Sequence, residues 1–548
     1  MVTGLISRAA SALRDDVGGF AQVFSRGGSP GRSGGRALSI PTGLQTYRFQ
    51  EHGGQTRLHL RVQDDGTGLL FRDVADVIHL TTTATEMIWM ALEGWAPKRA
   101  LAALQLRYRG PRGAFAADYA RMEHVVQTMR SPTAAGESCQ TCALDLPQVP
   151  LFSQRARAPH KVDLALTYAC NNRCPHCYND PSRFDLTALS TDDWKRILDR
   201  LAEVGVPHVI FTGGEATVYK GLPELIAHAD AAGMMTGLNS NGRRLRDRAY
   251  VDGLRDAGLD HVQITLESHR AEVHDAMVGA AAFEQCVAGV RACLGTEGLH
   301  VLTNTTITRL NAGEIGETVE FLADLGLRTF AMNGMIYTGG GDANPDAIPQ
   351  GDLPAILTHV RDTAIEQDLR FLWYTVTEYC EMNPVELEIG AKRCNAGEYS
   401  MCIEPDGAVL PCQSYYVSAG NVLRDSWEHI WRGELFRSFR DREEDPTWAK
   451  LPEKCHPCPD LPLCGGGCRI ERESAAGVAP GGCQSCASGG VGSGITSGLA
   501  PGRGIRSTGI SAASSCTCGT PDAAACGSDV HREALPSDGA LVQLGVRS

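Results

Sequence analysis

Apolar and polar positions alternate along the middle of the chain with two periods, which together predict its architecture. Between residues 161 and 375 the apolar runs are VDLALTY, HVIFTG, MTGLNSNG, HVQITLES, HVLTNTTITR, TFAMNGMIY and FLWYT. Stretches such as TDDWKRILDRLAEVG and NAGEIGETVEFLADLG separate them with helical spacing. Strands that alternate with helices predict βαβ units and a parallel sheet curled into a full or partial barrel, with its chemistry at the C-terminal ends of the strands.

The flanking segments follow other patterns. Residues 45–130 predict a small α+β module, because LRVQDDGTGLLFRDVADVIHL indicates short strands around an Asp-Gly turn, and ATEMIWMALEG and AFAADYARMEHVVQTM have helical spacing. A linker at 131–160 joins this module to the core at 161–375. Residues 390–486 predict a Cys-rich domain in which SWEHIWRGELFRSFRD looks helical. The Gly- and Ser-rich ends, residues 1–44 and 487–548, predict a flexible leader and a disordered tail.

Composition narrows the functional class. The 548 residues carry a net charge of −13, which argues against generic nucleic-acid binding. The chain contains no run of about 18 apolar residues, so no membrane span is expected. Charged residues interrupt the first 30 positions, so a secretory signal is not expected either. We therefore predict a cytoplasmic protein that binds neither nucleic acid nor membrane. In that reducing compartment the 20 cysteines are more typical of metal ligands or redox groups than of disulfides.

The first predicted barrel strand ends in a group of closely spaced cysteines. Cys170, Cys174 and Cys177 form a C-x3-C-x2-C pattern. Three thiolates in one loop can hold a metal centre and leave one coordination position free. By spacing alone, an iron-sulfur cluster with an open iron, a three-ligand zinc loop and chance clustering all stay open.

Other strand ends carry glycines and polar residues. Gly213, Gly214 and Glu215 follow the second strand, where glycines let a ligand approach the backbone and a carboxylate can pair with an ammonium group, although such a tripeptide also makes simple turns. Five polar residues lie within or just after later apolar runs and need partners if buried. We expect them either to contact a ligand or to join barrel layers by hydrogen bonds. The five residues are Asn239, Ser240, Thr265, Glu267 and Asn304.

Together these motifs resemble the radical S-adenosyl-L-methionine (radical SAM) superfamily. The resemblance implies a partial (β/α)6 TIM-like barrel and a 4Fe-4S cluster on Cys170, Cys174 and Cys177 whose fourth iron is chelated by S-adenosyl-L-methionine. It also places the His176 backbone at the adenine, Gly213-Gly214-Glu215 at the methionine amine, and the five polar residues at the ribose and methionine. Two positions depart from the family: Ala216 replaces a usual Pro, and Val278 replaces an Arg that holds the cofactor carboxylate in relatives.

The C-terminal cysteines resemble the SPASM extension of radical SAM peptide maturases. The pattern is C-x12-G-x4-C followed by C-x2-C-x5-C-x3-C, for which a zinc ribbon stays open on spacing alone. The resemblance implies two auxiliary 4Fe-4S clusters. The first would be held by Cys394, Cys402, Cys412 and Cys468, and the second by Cys455, Cys458, Cys464 and either Cys483 or Cys486.

Several further residues bear on function. Gln413 occupies the place at which formylglycine-forming members of the family carry an acidic base, so sulfatase maturation is disfavoured. We predict that Cys286, Cys293 and Cys380 are buried core thiols. Cys139 and Cys142 form a C-x2-C pair in the linker without an assigned role.

The N-terminal module resembles the PqqD-like winged-helix domain that binds leader peptides. The segment GLLFRDVADVIHLTTTATEMIWMALEG carries the resemblance, with Trp89 in its helix. An open strand edge beside such a helix can accept a peptide as an added strand, and a generic docking domain is the alternative.

The resemblances predict a radical SAM oxidoreductase that acts on a precursor peptide with a leader. A 5′-deoxyadenosyl radical would take hydrogen from the peptide, and the enzyme would install an oxidative cross-link (thioether, C–C or ether), with flavodoxin or ferredoxin as electron donor. The alternatives are radical SAM modification of a folded protein or cofactor-precursor peptide, and an iron-sulfur or zinc scaffold without turnover.

Overall fold

The computed structural model describes residues 40–51, 54–73, 76–131, 144 and 151–473, and its N-terminal part is a small α+β module. An antiparallel meander contains β1 (Gly43–Glu51), β2 (Gly54–Val62), β3 (Gly68–Arg72) and β4 (Asp76–Leu80). Three helices follow: α1 (Thr82–Leu92), α2 (Pro97–Arg107) and α3 (Arg112–Arg130). The predicted module is confirmed, and the Asp-Gly turn lies between β2 and β3, where Gly66 adopts a φ of +82°. Helix α2 is not predicted by periodicity, because it buries only Ala100 and Leu104.

Seven parallel strands form the core and lie side by side in chain order. They are β5 (Lys161–Ala165), β6 (His208–Thr212), β7 (Met235–Ser240), β8 (His261–Thr265), β9 (His300–Thr306), β10 (Thr329–Asn333) and β11 (Arg370–Trp373). The crossovers between them contain α4 (Thr191–Glu203), α5 (Leu222–Ala231), α6 (Arg248–Asp256), α7 (Ala271–Val278), α8 (Phe283–Leu294), α9 (Ile315–Asp324) and α10 (Leu353–Glu366). Each apolar run therefore forms a strand, and the predicted α/β architecture with a parallel sheet is confirmed.

Helix α4 shows how the sequence builds a crossover. The hydroxyl of Ser190 caps the helix by accepting a hydrogen bond from the amide of Asp193. Four apolar residues recur at helical spacing on one face, and all four are buried against the sheet: Trp194, Ile197, Leu198 and Leu201. This single apolar face fixes how the helix packs on the barrel.

The Cys-rich region extends the same sheet beyond β5. Strand β12 (Ser400–Ile403) pairs with β5 in parallel, and β13 (Val409–Leu410) pairs with β12 antiparallel. Short helices follow: α11 (Trp427–Trp431), α12 (Glu434–Arg440), α13 (Leu461–Cys464) and α14 (Arg469–Glu473). The segment SWEHIWRGELFRSFRD thus forms two helices rather than one, and the break falls at Gly433, the N-cap of α12.

The N-terminal module packs against the N-terminal ends of the barrel strands. The guanidinium of Arg57 on β2 donates to the carbonyl of Met234 (2.7 Å) and pairs with Asp230 (3.0 Å) and Asp260 (3.1 Å). Arg61, four positions further along the strand, donates to the backbone carbonyl of Gly205 (3.3 Å). Because these partners precede β6, β7 and β8, the module lies at the end of the barrel opposite to the strand ends that carry the cysteine and glycine motifs.

Lowering the pH from 7.5 to 5.5 is expected to lower the melting temperature. Burial is the main reason why four histidines near this contact have a depressed pKa. The pKa is about 3 for His59 and His261, and it lies well below the usual 6.5 for His160 and His208. Below pH 6.5 the unfolded chain therefore binds more protons than the folded protein, and stability decreases as pH falls. The expected loss is about 1.4 kcal/mol per buried histidine for each pH unit below the ordinary pKa.

Differential scanning calorimetry at the two pH values checks this expectation. His59→Phe removes one of the four groups, so this variant should show a shallower pH dependence than the wild type. A melting temperature that stays constant between pH 7.5 and 5.5 would contradict the prediction.

Among the described residues, no single helix has both the length and the apolar character needed to cross a membrane. Helices α7 and α8, which are bent by 98° relative to each other, meet both conditions only as a pair.

Candidate functional site

A cavity of about 970 Å³ opens at the C-terminal ends of the barrel strands and reaches the Cys-rich region. All nine residues that sequence motifs assign to cofactor contacts line it: His176, Gly213, Gly214, Glu215, Asn239, Ser240, Thr265, Glu267 and Asn304. Six of the predicted metal-ligating cysteines line it as well: Cys170, Cys174, Cys177, Cys394, Cys412 and Cys468. The fold therefore brings together motifs that are separated by more than 200 residues in the chain.

The loop thiols, Cys170, Cys174 and Cys177, lie in a loop held by backbone contacts. The amide of Arg173 donates to the carbonyl of Val278 at the end of α7 (3.0 Å), and that of Cys177 to the carbonyl of Cys174 (3.1 Å). Removal from water raises the pKa of all three thiols, and the nearby carboxylate of Glu267 adds to the effect at Cys174. A positively charged metal centre would offset that cost by holding them as thiolates.

Gly213 and Gly214 are required by the packing of the chain itself. A Cβ at Gly213 would lie 2.2 Å from the carbonyl oxygen of Thr167, and Gly213 has a φ of +136°. The amide of Gly214 donates to the same carbonyl (2.7 Å). The two glycines thus let the β6 turn pack directly on the segment that leads into Cys170.

Glu215 is buried and its carboxylate is held from several sides. It accepts hydrogen bonds from the hydroxyl of Ser240 (2.9 Å), the amide of Asn241 (2.7 Å) and the amide of Thr217 (3.1 Å). These contacts join the ends of β6 and β7 and fix the carboxylate at the wall of the cavity. A fixed, buried carboxylate of this kind is suited to bind an ammonium group.

His176 and Glu267 are brought together across the barrel. The Nε2 atom of His176 lies 3.3 Å from the Oε1 atom of Glu267, and the Oε2 atom of the same carboxylate accepts a hydrogen bond from the amide of Thr306 (2.7 Å). Burial favours the neutral ring, but the hydrogen bond and charge of Glu267 raise the pKa of His176. The pair ties the cysteine loop to the end of β8.

The other strand-end residues also lie at the cavity wall. Asn304 donates to the side-chain oxygen of Asn333 (2.7 Å), while its own side-chain oxygen is buried without a hydrogen-bond partner among the described residues. Asn304 lies opposite Thr265 in the register of β8 and β9. Asn239 is partly buried on β7, opposite Gln263. The unpaired side-chain oxygen of Asn304 is suited to accept a hydrogen bond from a ligand hydroxyl or amine.

The first auxiliary thiols, Cys394, Cys412 and Cys468, lie around the far part of the cavity. Burial and, to a lesser extent, the charge of Cys394 raise the pKa of Cys412 to about 11 and that of Cys468 to about 12. Cys402 belongs to the same predicted ligand set but does not line the cavity. Its side chain is fully buried on β12, among Ala165, Tyr168 and Leu410.

The second auxiliary thiols, Cys455, Cys458 and Cys464, lie outside the cavity. Cys455 and Cys458 pack in one small cluster with Leu451 and Leu461, and the charge of Cys464 acts on Cys455. The sulfur of Cys464 accepts a hydrogen bond from the amide of Tyr379 (3.4 Å). The other predicted ligands of this set, Cys483 and Cys486, lie outside the described residues, as do Cys139 and Cys142.

The prediction of three core thiols holds for two of them. Cys286 and Cys293 on α8 are buried, which confirms that part. The prediction is wrong for Cys380, which is exposed. It lies in an irregular segment after β11, where its sulfur accepts a hydrogen bond from Lys454 (3.5 Å), so no strand or helix carries it into the core.

The Cys-rich region clamps the segment that follows the loop thiols. The hydroxyl of Tyr416 donates to the carbonyl of Tyr178 and accepts from the amide of Asp180 (3.2 Å). Arg183 pairs with Glu404 and lies 4.4 Å from the ring centroid of Tyr416. These contacts join the segment that follows the loop thiols to the Cys-rich region, a link that no local sequence pattern indicates.

Charged residues that sequence motifs do not single out also line the cavity. Lys161 pairs with Asp163 (3.2 Å) on β5. Burial lowers the pKa of Lys392 to about 7 and raises that of Glu471 to about 7.

Gln413, the residue in place of an acidic base, also lines the cavity. Val278, which stands where relatives carry an Arg, has a buried aliphatic side chain. This position therefore cannot supply a guanidinium to the cofactor carboxylate.

The donor set fits an iron-sulfur cluster with bound S-adenosyl-L-methionine. Thiolates are the protein ligands of such clusters, and free volume adjoins the loop thiols together with the Glu215 carboxylate and the unpaired oxygen of Asn304. In the part of the chain that the structure describes, no three His, Cys, Asp or Glu side chains form a group that could hold a single metal ion.

Two parts of the chain match known families. Residues 164–322 match the family model of the Radical SAM superfamily. Residues 394–459 match the SPASM model, an iron-sulfur cluster-binding domain.

Curated proteins and solved structures are similar over longer ranges. The AdoMet-dependent heme synthase of Methanosarcina barkeri is 28% identical, over 58% of this chain and 94% of the relative. The PqqA peptide cyclase of Methylocella silvestris is 30% identical, over 57% of this chain and 83% of the relative. SuiB of Streptococcus suis, solved bound to the precursor peptide SuiA, is similar in fold with a TM-score of 0.55 at 17% identity, and the match covers 77% of this chain and 96% of SuiB.

Proposed function

The chain belongs to the radical SAM superfamily and carries a SPASM iron-sulfur cluster-binding domain, and we propose that it is a leader-dependent peptide maturase. With a 4Fe-4S cluster and S-adenosyl-L-methionine bound at the loop thiols, the site would supply radical abstraction of hydrogen from an unactivated C–H bond. In the proposal this hydrogen belongs to a precursor peptide, and the product is an oxidative cross-link (thioether, C–C or ether). A flavodoxin or ferredoxin is the proposed electron donor.

The observation that carries the proposal is the N-terminal module. Superfamily membership does not name the substrate, since one relative is named a heme synthase and another a peptide cyclase. The likeness to SuiB covers 77% of this chain, so it extends beyond the radical SAM and SPASM matches at 164–322 and 394–459. The name of the PqqA peptide cyclases gives those relatives a peptide substrate, which supports the same choice.

The geometry of the module supports peptide docking at β4. This strand pairs with β3 on one side and has no strand partner on the other within the described sheet. Helix α1 follows β4 directly, whereas β1 contacts the barrel through Thr46 and Arg48. The open edge beside a helix is the arrangement in which a leader peptide can add a strand.

Positions around the cavity support part of the residue assignments, those of the loop thiols and of Cys394, Cys412 and Cys468. We propose residues 45–130 as the peptide-recognition module, 161–375 as the radical SAM core and 390–486 as the SPASM domain. The loop thiols would hold the first cluster, with Glu215 at the cofactor ammonium. Two proposed auxiliary clusters take the remaining cysteines, the first on Cys394, Cys402, Cys412 and Cys468, and the second on Cys455, Cys458, Cys464 and Cys483 or Cys486. Cys402 would have to reach its cluster from behind the cavity wall.

Peptide-dependent turnover tests the proposal. The anaerobically reconstituted full chain is incubated with short peptides encoded beside its gene, each supplied with and without its leader. We expect cross-linked product, detected by mass spectrometry, only with the leader present. Addition of the leader should also slow amide hydrogen exchange in β4, because its outer amides would become hydrogen-bonded. Equal turnover without a leader, or unchanged exchange in β4, would contradict leader docking.

Glu215→Gln is expected to weaken binding of S-adenosyl-L-methionine about 10-fold or more, because a charge-assisted hydrogen bond to its ammonium would be lost. Equilibrium dialysis with labelled cofactor measures the change. Glu224→Gln, on the exposed surface of α5, alters net charge equally and should bind normally. Equal affinities of the two variants would contradict the assignment of Glu215.

A further inference from the structure

The loop that carries Cys170 reaches the protein surface. Cys170 is exposed, and so are its neighbours Ala169 and Asn171, whereas Cys174 and Cys177 are half-buried. The Cys170 side of the loop is thus the side that a partner can reach from solvent. In the proposed function the loop thiols hold a cluster that receives electrons from outside the chain, so a donor protein has to approach this loop.

Four arginines border the exposed loop and form a group that we call the arginine rim: Arg173, Arg243, Arg244 and Arg246. Arg173 belongs to the loop itself. The guanidinium of Arg243 donates to the side-chain oxygen of Asn172 (3.0 Å) and to the carbonyl of Asn171, so it fastens the segment after β7 to the loop. The other two lie in the short 3₁₀ helix (Arg244–Arg246) that directly follows Arg243.

The chain does not neutralise the charge of the arginine rim. Arg173, Arg244 and Arg246 are exposed, and Arg243 is half-buried. Within the part of the chain that the structure describes, no ion pair includes any of the four. The other side-chain contacts of the rim are with uncharged acceptors, because Arg243 also donates to the side-chain oxygen of Gln285 (3.1 Å) and Arg244 to the carbonyl of Thr217. A positive patch of this kind attracts negatively charged partners.

The rim is a positive surface on an acidic protein. The whole chain has a net charge of −13. Of the exposed carboxylates close to the rim in sequence, Asp247 caps α6 by accepting from the amide of Ala249 (3.1 Å), and Glu284 lies in the first turn of α8. An acidic partner is repelled by the net charge of the chain but attracted at the rim, and this contrast orients it toward the loop thiols.

We propose that the arginine rim is the docking surface for an acidic one-electron donor protein of the flavodoxin or ferredoxin class. The inference rests on the proposed function, because it requires a cluster at the loop thiols, and it adds the place where the donor binds. In the transfer the donor is oxidised by one electron and the cluster is reduced by one electron. No covalent bond forms or breaks in that step.

Electron transfer from a reduced flavodoxin tests the docking surface. The probe is an acidic bacterial flavodoxin, which is reduced and mixed anaerobically by stopped flow with the oxidised, reconstituted full chain. The flavin absorbance gives the second-order rate constant, which we expect to fall about 10-fold or more from low to high salt because ions screen the attraction. Calorimetric titration with oxidised flavodoxin measures binding without turnover, and its affinity should show the same salt dependence.

Variants of Arg246 assign the attraction to the rim. Arg246→Glu should lower the rate constant and the affinity about 10-fold at low salt, and Arg246→Lys should restore both because it keeps the charge. Arg432→Glu is the matched control, since Arg432 lies at the end of α11, is 71% exposed and changes the net charge equally. This control should behave as the wild type does. Iron content and circular dichroism show whether each variant folds and loads its clusters.

Reduction by dithionite separates docking from a change in the cluster. Dithionite is a small molecule that needs no protein docking surface, so its reduction of the first cluster should be the same in Arg246→Glu and the wild type. The midpoint potential of that cluster, measured by EPR titration, should also be the same. An Arg246→Glu variant that binds flavodoxin normally but has a shifted potential would overturn the inference, because the arginine would then tune the cluster.

Other outcomes would also overturn the docking surface. These are an absence of flavodoxin binding, a rate constant and an affinity that do not depend on salt, and an Arg246→Glu variant that equals the wild type in both. A short double-stranded DNA that binds the wild type more tightly than flavodoxin does, and that loses affinity in Arg246→Glu, would reassign the rim to nucleic acid. Cleavage of S-adenosyl-L-methionine by the wild type under dithionite is measured separately, and its absence would count against the proposed function alone.

Discussion

Replacing Cys174 by alanine is expected to abolish reductive cleavage of S-adenosyl-L-methionine and to lower the iron content by about four atoms per chain. Cys174 is the central member of the loop thiols, and all three line the same cavity. With two thiolates left, the loop cannot hold a cluster whose fourth iron is reserved for the cofactor. Anaerobic iron and sulfide analysis, together with chromatography of 5′-deoxyadenosine after dithionite reduction, measures both effects.

Cys286→Ala is the matched control for this prediction. Cys286 is fully buried on α8, and its sulfur donates to the carbonyl of Thr265 (3.2 Å) rather than lining the cavity. The control variant should keep its full iron content and its cleavage activity. Unchanged iron in Cys174→Ala would show that the loop thiols do not hold the first cluster.

Replacing Arg57 by methionine is expected to lower the free energy of unfolding by about 3–5 kcal/mol, because removing one member of a buried ion pair leaves the other charge uncompensated. The side chain of Arg57 is 4% exposed, and its partner Asp260 is 14% exposed. Its guanidinium also donates to the carbonyl of Met234. The contact between the N-terminal module and the barrel therefore depends on this residue, and urea unfolding of the full chain measures the loss.

Arg48→Met separates burial from charge in the same contact. Arg48 pairs with Asp230, as Arg57 does, but its side chain is 39% exposed. Exposed pairs contribute about 0–1 kcal/mol, so this variant should remain close to the wild type. If the two variants lose equal stability, the buried position of Arg57 is not what holds the module.

Local sequence patterns predict the barrel and its cavity wall because both depend on short-range periodicity. Each apolar run from VDLALTY to FLWYT becomes a strand, since alternation and helical spacing are properties of a few consecutive residues. The strand-end residues, from Gly213 to Asn304, then share one cavity, because the C-terminal ends of neighbouring parallel strands meet at one edge of the sheet.

The patterns mislead where a residue's surroundings come from distant parts of the chain. Cys380 looks like a core thiol in sequence, but it lies in an irregular segment beside Lys454. The burial of Cys402 opposite Asp163 follows from the parallel pairing of β12 with β5, which the sequence does not indicate, and its role as a ligand stays a prediction. Gly213 and Gly214 are also approached by atoms of the segment before Cys170, a contact that the sequence does not indicate, and their contact with the cofactor stays a prediction.

The sequence by itself determines the succession of strands and helices along the chain and the cysteine spacings, because both are set by residues close together in the chain. Only the tertiary structure decides that the first auxiliary thiols share a cavity with the loop thiols and that Lys392 meets Tyr374 there. The pairing of β12 with β5 joins segments more than 200 residues apart. Such pairing depends on which buried surfaces and which hydrogen-bonding strand edges fit each other. The local periodicity of the sequence does not encode this fit.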